Sequence, residues 1–110
     1  MENTEDKSIY VITVFSKLES NYIHPVDIGE RRTVGFRYNL EVAKETVMQN
    51  MCDIWEYLYD YACIEKLSQE LYPAATERYL FQFNQSTGTF DEITVPDFVR
   101  DFPCNFCTIG

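Results

Sequence analysis

The chain has 110 residues, a hydrophobic fraction of 45%, and 18 acidic against nine basic side chains, for a net charge of −9. That length suits a single core, and that composition argues against wholesale disorder. The charge disfavours direct binding to DNA or RNA, whose phosphates are held by clustered Lys and Arg, and no apolar run approaches the roughly 18 residues that span a membrane.

The start, MENTEDKS, is acidic and polar, the reverse of a signal peptide's basic-then-apolar order. Residues 1–8 are therefore expected to form a disordered tail on a cytosolic protein, ahead of a single domain over residues 9–110. Ile9 to Leu18, IYVITVFSKL, is β-branched and aromatic with near-alternation and predicts a strand. Asn21 to Glu30 contains Pro25 and Gly29 and reads as a loop. Arg32 to Tyr38 reads as a second strand, in which Gly35 suggests a bulge or a close backbone approach. Asn39 is a good N-cap. After it, Leu40, Ala43, Val47, Met48 and Met51 recur at steps of three and four, which predicts a helix from about residue 40 to about 52 with these side chains on one face.

The next stretch, Asp53 to Leu67, carries Trp55, Tyr57, Tyr59 and Tyr61 at every second position. As a helix it would mix Glu65 into its apolar stripe. As a strand it sets Tyr57, Tyr59, Tyr61 and Cys63 on one face and Leu58, Asp60, Ala62 and Ile64 on the other. The strand pattern is the cleaner one, so Leu58 to Leu67 is assigned to it and Asp53 to Glu56 to a turn. Tyr79, Phe81 and Phe83 then alternate with Leu80 and Gln82, NQSTG turns the chain, and Thr89 to Val95 returns as a hairpin partner. Pro96 and Pro103 exclude a long element beyond, while VRDFPCNFCTIG is apolar enough to pack back on the sheet. The order β-β-α-β-β-β predicts an α+β domain: an antiparallel sheet of about five strands with one helix packed on a face. One helix leaves a sheet face open, and the surplus of aromatics implies a homo-oligomer.

Several of these residues together form a pattern. Arg32-Thr33-x-Gly35-Phe36, Asn50-x-x-Asp53-Ile54-x-Glu56, Tyr59-x-Tyr61-Ala62-x-Ile64-Glu65 and Leu71-Tyr72-Pro73 resemble small proteins of unassigned function from Firmicutes bacteria and their phages. The array covers residues 32–73, with Glu70 standing where the pattern has a glycine. The resemblance implies a mobile-element setting in a bacterial host cytosol. Small proteins of that setting are often counter-defence factors, either sponges for signal nucleotides or anti-CRISPR inhibitors.

No GxSxG, Walker, GxGxxG or HExxH motif occurs, and no set of residues converges on a nucleophile or base, so no enzymatic activity is expected. Asp53 and Glu56 could do acid–base work or bind Mg²⁺, but such a pair more often caps and solvates a turn. Cys104 and Cys107 form a CxxC, yet Cys52 and Cys63 are too far apart to make a second knuckle, and His24 is remote from both. Structural, reduced thiols are expected, with no metal and no cofactor.

A binding site has more to build on. Arg31, Arg32, Arg37 and Lys44 gather four cations into one short region of an acidic chain. Arg32, Gly35, Arg37 and Lys44, with rings from Tyr57, Tyr59 and Tyr61, would suit a small nucleotide: guanidinium for phosphate, rings for base stacking, and a glycine where the ligand nears the backbone. Those rings serve only if their strand lies beside the Arg37 strand. The alternative is an acidic nucleic-acid mimic that occupies a basic host defence protein through Asp53, Glu56, Asp60 and Glu65. Half-buried packing of the tyrosines and a solvated acidic face are the commoner origins of both patterns.

Overall fold

The six residue pairs that join residues 10–15 to the strand Arg31–Arg37 already show the sheet's character: β-branched and aromatic side chains in register with arginines. The structure is a computed structural model that describes residues 8–16, 18–19, 27–28, 31–51, 54–55, 59–69, 74–100 and 105–107. Its elements are β1 (Ile9–Phe15), β2 (Leu18–Glu19), β3 (Asp27–Ile28), β4 (Arg31–Arg37), α1 (Leu40–Met48), β5 (Tyr61–Leu67), β6 (Glu77–Asn84), β7 (Thr89–Ile93) and a short α2 (Asp97–Arg100). Five strands form one sheet in the order β4-β1-β5-β6-β7, every neighbouring pair antiparallel, and β2 pairs with β3 separately. This is the expected α+β arrangement, with two additions: α2, and the β2–β3 pair, whose second strand falls within the stretch expected to be a loop. No helix among the described residues is long and apolar enough to cross a membrane.

The bulge expected at Gly35 is present. Ile12 pairs with Gly35 and Thr13 with Thr33, which leaves Val34 as the extra residue of β4. Gly35 has φ +154°, a conformation that side-chain-bearing residues rarely adopt, and the space where its Cβ would stand is open. The glycine answers a backbone requirement there.

Asn39 caps α1 as expected, its Oδ1 accepting from the Val42 N–H at 3.2 Å. The helix stops earlier than its periodicity predicts. Gln49 closes it, Asn50 turns left-handed at φ 50°, and the Asn50 Oδ1 accepts from the Trp55 N–H. The buried face also differs: Ala43, Thr46 and Val47 face inward, whereas Met48 is 41% exposed. Thr46 tolerates burial because its hydroxyl donates to the Val42 carbonyl and accepts from Arg37 Nε.

The sheet has two packed faces. On the helix face, Ile12, Val14, Ala62, Ile64, Phe81 and Phe90 meet Ala43 and Val47 of α1. Trp55 stacks on Phe83 at this face's margin, ring centroids 4.2 Å apart. On the opposite face, Phe15, Cys63 and Leu80 pack against Val99 and Phe106, and Val11 and Leu67 against Cys107. The C-terminal stretch does pack back on the sheet at these positions. The open face from which a homo-oligomer was inferred is thus covered by the chain's own C-terminal residues.

Candidate functional site

The sheet order decides which of the sequence-predicted residues meet. β1 stands between β4 and β5, so the tyrosine strand is not beside the Arg37 strand. β5 begins at Tyr61 rather than Leu58, and the alternation breaks there. Tyr59, ahead of the strand, packs on the helix-face cluster, while Tyr61 lies on the opposite face, stacked 5.4 Å from Phe15. Tyr57 lies outside the described residues. Tyr59 and Tyr61 therefore do not form one stacking row with Arg37.

Arg32, Gly35 and Arg37 do share the helix face of β4, opposite Val14, Ile12 and Tyr10 respectively. Arg37 is exposed, and its Nε donates to Thr46 Oγ1 at 3.2 Å and its Nη1 to the Phe36 carbonyl at 3.3 Å. These bonds fix the guanidinium at the end of the sheet. Lys44 points away to the other edge, where its Nζ is 3.2 Å from Glu92 Oε2 and 4.8 Å from the Tyr79 ring centre. β4 and β7 are four strand spacings apart, roughly 19 Å, so Lys44 does not join the arginines.

Two tyrosines not expected at the site occupy the place that the others leave. Tyr10 pairs directly with Arg37, and Tyr38 follows Arg37 in sequence, 72% exposed with its ring edge-on to Phe36 at 5.3 Å. Ser8, Tyr10, Tyr38, Asn39, Leu40 and Glu41 line a depression of about 270 Å³ at the N-terminus of α1. The helix start contributes partial positive charge, and Asn39 and Glu41 contribute an amide and a carboxylate. The sequence held a signal for this: Tyr10 sits in the first strand and Arg37 at the end of the second, and a simple hairpin brings such positions opposite. The long tyrosine alternation was the more visible pattern.

The acidic set fares differently. Asp53 and Glu56 lie outside the described residues, and Asp60 is half-buried with its carbonyl accepting from the Phe83 N–H. Glu65, expected on an acidic surface, is fully buried. Its Oε2 accepts from Arg78 Nε at 3.0 Å and the Phe106 N–H at 2.7 Å, and its Oε1 accepts from the Cys107 N–H at 2.8 Å. Arg78 Nη1 also donates to the carbonyls of Val99 and Arg100, and its guanidinium lies 5.0 Å from the Phe106 ring centre. Burial of this carboxylate is compensated by charge-assisted bonds, and Glu65 clamps the C-terminal residues to the sheet. Its strand position, between Cys63 and Leu67 on one face, was the available clue.

Cys63 and Cys107 are free and buried beside this clamp. Burial, with the negative charge of Glu65 adding to it, raises the Cys63 thiol well above its ordinary value and pushes Cys107 up to about 12. Both are held as neutral thiols, the opposite of an activated nucleophile. Cys52, Cys104 and His24 fall outside the described residues, among which no group of His, Cys, Asp and Glu is arranged to hold a metal ion. No protein-family model matches the chain, and no curated protein or solved structure matches it.

Proposed function

We propose that the chain is a non-enzymatic protein of the counter-defence type that sequesters a small nucleotide signal, with the depression at the start of α1 as its binding site. The observation that carries this reading is the lining itself: two tyrosines, a helix N-terminus, an amide and a carboxylate, with Arg37 paired to one of the tyrosines. Tyrosine rings offer stacking surface to a base. The Asn39 amide and Glu41 carboxylate suit a base edge, and Arg37 with the helix start suits a phosphate. Glu41 repels a polyphosphate, and the volume of about 270 Å³ lies just below the common range of about 300–1,000 Å³ for ligand pockets. Both features favour a compact ligand with few charges, such as a cyclic nucleotide, over a triphosphate.

Titration calorimetry against cyclic and ADP-ribose-type nucleotides tests the reading. Base stacking contributes about 1–3 kcal/mol, so Tyr38→Ala or Arg37→Ala should weaken binding by roughly tenfold or more. Lys44→Ala, at the far edge, should leave it unchanged. Absence of heat with every nucleotide in the panel would refute the proposal.

A further inference from the structure

Two polar side chains line the depression at the start of α1, and their hydrogen-bonding ends are set by what each already binds. Asn39 Oδ1 accepts from the Val42 N–H. That capping bond commits the amide oxygen to the helix and leaves Nδ2, which donates to nothing among the described residues. Glu41 stands two residues on, exposed, in the same lining. Other carboxylates of the helix-bearing sheet are engaged: Glu65 with Arg78, Glu77 with Lys66, and Glu92 with Lys44. Glu41 has no ion pair or hydrogen bond among the described residues. A cavity of about 270 Å³ thus presents one amide donor and one carboxylate, together with the rings of Tyr10 and Tyr38.

From this we infer that the depression selects a guanine base. Guanine selection rests on the nucleotide-binding reading and adds the identity of the base. An ionised carboxylate only accepts hydrogen bonds, and it does so through two oxygens. Guanine sets two donors side by side on its Watson–Crick edge, N1–H and the N2 amino group, with the O6 acceptor next to them. The Glu41 fork takes both donors, and the free amide end of Asn39 takes O6. Adenine offers its N6 amino donor beside the bare N1 lone pair, which meets a carboxylate oxygen unfavourably. Cytosine has the same order of donor beside acceptor, and uracil has one N–H between two carbonyls. An asparagine reads adenine by pairing its oxygen and nitrogen together with the base, but the oxygen of Asn39 is held by the helix. Guanine is the common base whose order of acceptor, donor, donor matches the lining. Bonds to an ionised acceptor are also the stronger kind, so the carboxylate dominates the choice.

Titration calorimetry with 3′,5′-cyclic GMP and 3′,5′-cyclic AMP tests this, since the two differ only in the base. Cyclic GMP should bind about tenfold more tightly or better, a ratio that charge-assisted hydrogen bonds to one carboxylate supply. Cyclic IMP, which lacks only the N2 amino group, should fall between them. Glu41→Gln should bring the ratio near one, with cyclic AMP bound no more weakly than by the native chain, a result that no unfolded variant gives. Asn39→Asp keeps an accepting cap for the Val42 N–H and turns the free end from donor to acceptor. It should cut the ratio by about threefold or more, the worth of one hydrogen bond. The ratio is the readout because the added charge bears on both phosphates alike. Equal binding of the two nucleotides by the native chain, tighter binding of cyclic AMP, or a ratio that either variant leaves intact overturns guanine selection while nucleotide sequestration stands. Binding of neither nucleotide overturns both.

Discussion

On the helix face of the sheet, Ile12, Val14, Ala62, Ile64 and Phe81 meet Ala43 and Val47, a contact mainly of apolar side chains, with the bond from Arg37 Nε to Thr46 at its margin. On the other face, Val99, Phe106 and Cys107 are held where a single carboxylate, Glu65, gathers the Arg78 guanidinium and two backbone N–H groups. The first contact is distributed over many small contributions, so each loss is partial. The second depends on one charge pair, 0% and 6% exposed, in which removing either partner strands the other without water. A small sheet can thus be closed on its two sides by quite different means. The side closed by a polar clamp is the one more easily opened by a single change.

The largest effect should come from Arg78→Ala, which leaves the Glu65 carboxylate buried without its counter-charge. Urea denaturation should show a loss of about 4 kcal/mol. Hydrogen exchange should show the amides of Phe106 and Cys107 losing protection ahead of those in α1. If the C-terminal amides stay protected, the contrast between the faces fails. Ile64→Ala, on the helix face, should cost about 3 kcal/mol through lost burial and a cavity, with protection lost evenly across the sheet. Asn39→Ala removes the cap that starts α1 and should cost about 1 kcal/mol, read from the same denaturation curves.

Alkaline pH should produce the smallest and most gradual change, and it should fall on the clamped face. The Cys107 thiol titrates at about 12 in the folded chain against an ordinary value of 9.0, and burial is the main cause. Below pH 9 folded and unfolded chains both keep the proton, and the thiol's full stabilising contribution is present. As pH rises from 9 toward 12 the unfolded thiol ionises first, so stability falls. Melting temperatures measured across that range should decline, and a Cys107→Ala variant should decline less. At pH 8, Cys63 and Cys107 should react with a thiol reagent far more slowly in the native protein than in urea.

Much of the fold could be read from local pattern. The strand at Ile9, the bulge at Gly35, the cap at Asn39 and the NQSTG hairpin each rest on residues near one another in the chain, and each stands in the structure. Where the sequence expectation failed, a neighbour remote in sequence was responsible. Thr46 replaces Met48 on the buried face because Arg37 supplies its hydroxyl with a donor. Tyr59 leaves the row of Tyr61 because strand pairing begins only at Tyr61, where β1 and β6 flank it.

The candidate site divides along the same line. Alternation along a strand settles which side chains share a face, and that much of Arg32, Gly35 and Arg37 was legible from spacing alone, because a strand's period is a property of its own backbone. Which strand lies next to which is settled by burial summed over the whole domain. Placing β1 at the centre of three strands separates Arg37 from Tyr61 of β5, gives it Tyr10 instead, and sends Lys44 to the opposite edge. The same global packing turned Glu65 from an expected surface charge into a buried clamp, since its partners, Arg78, Phe106 and Cys107, lie 13 or more residues away and meet it only when both hairpins and the C-terminal residues are in place.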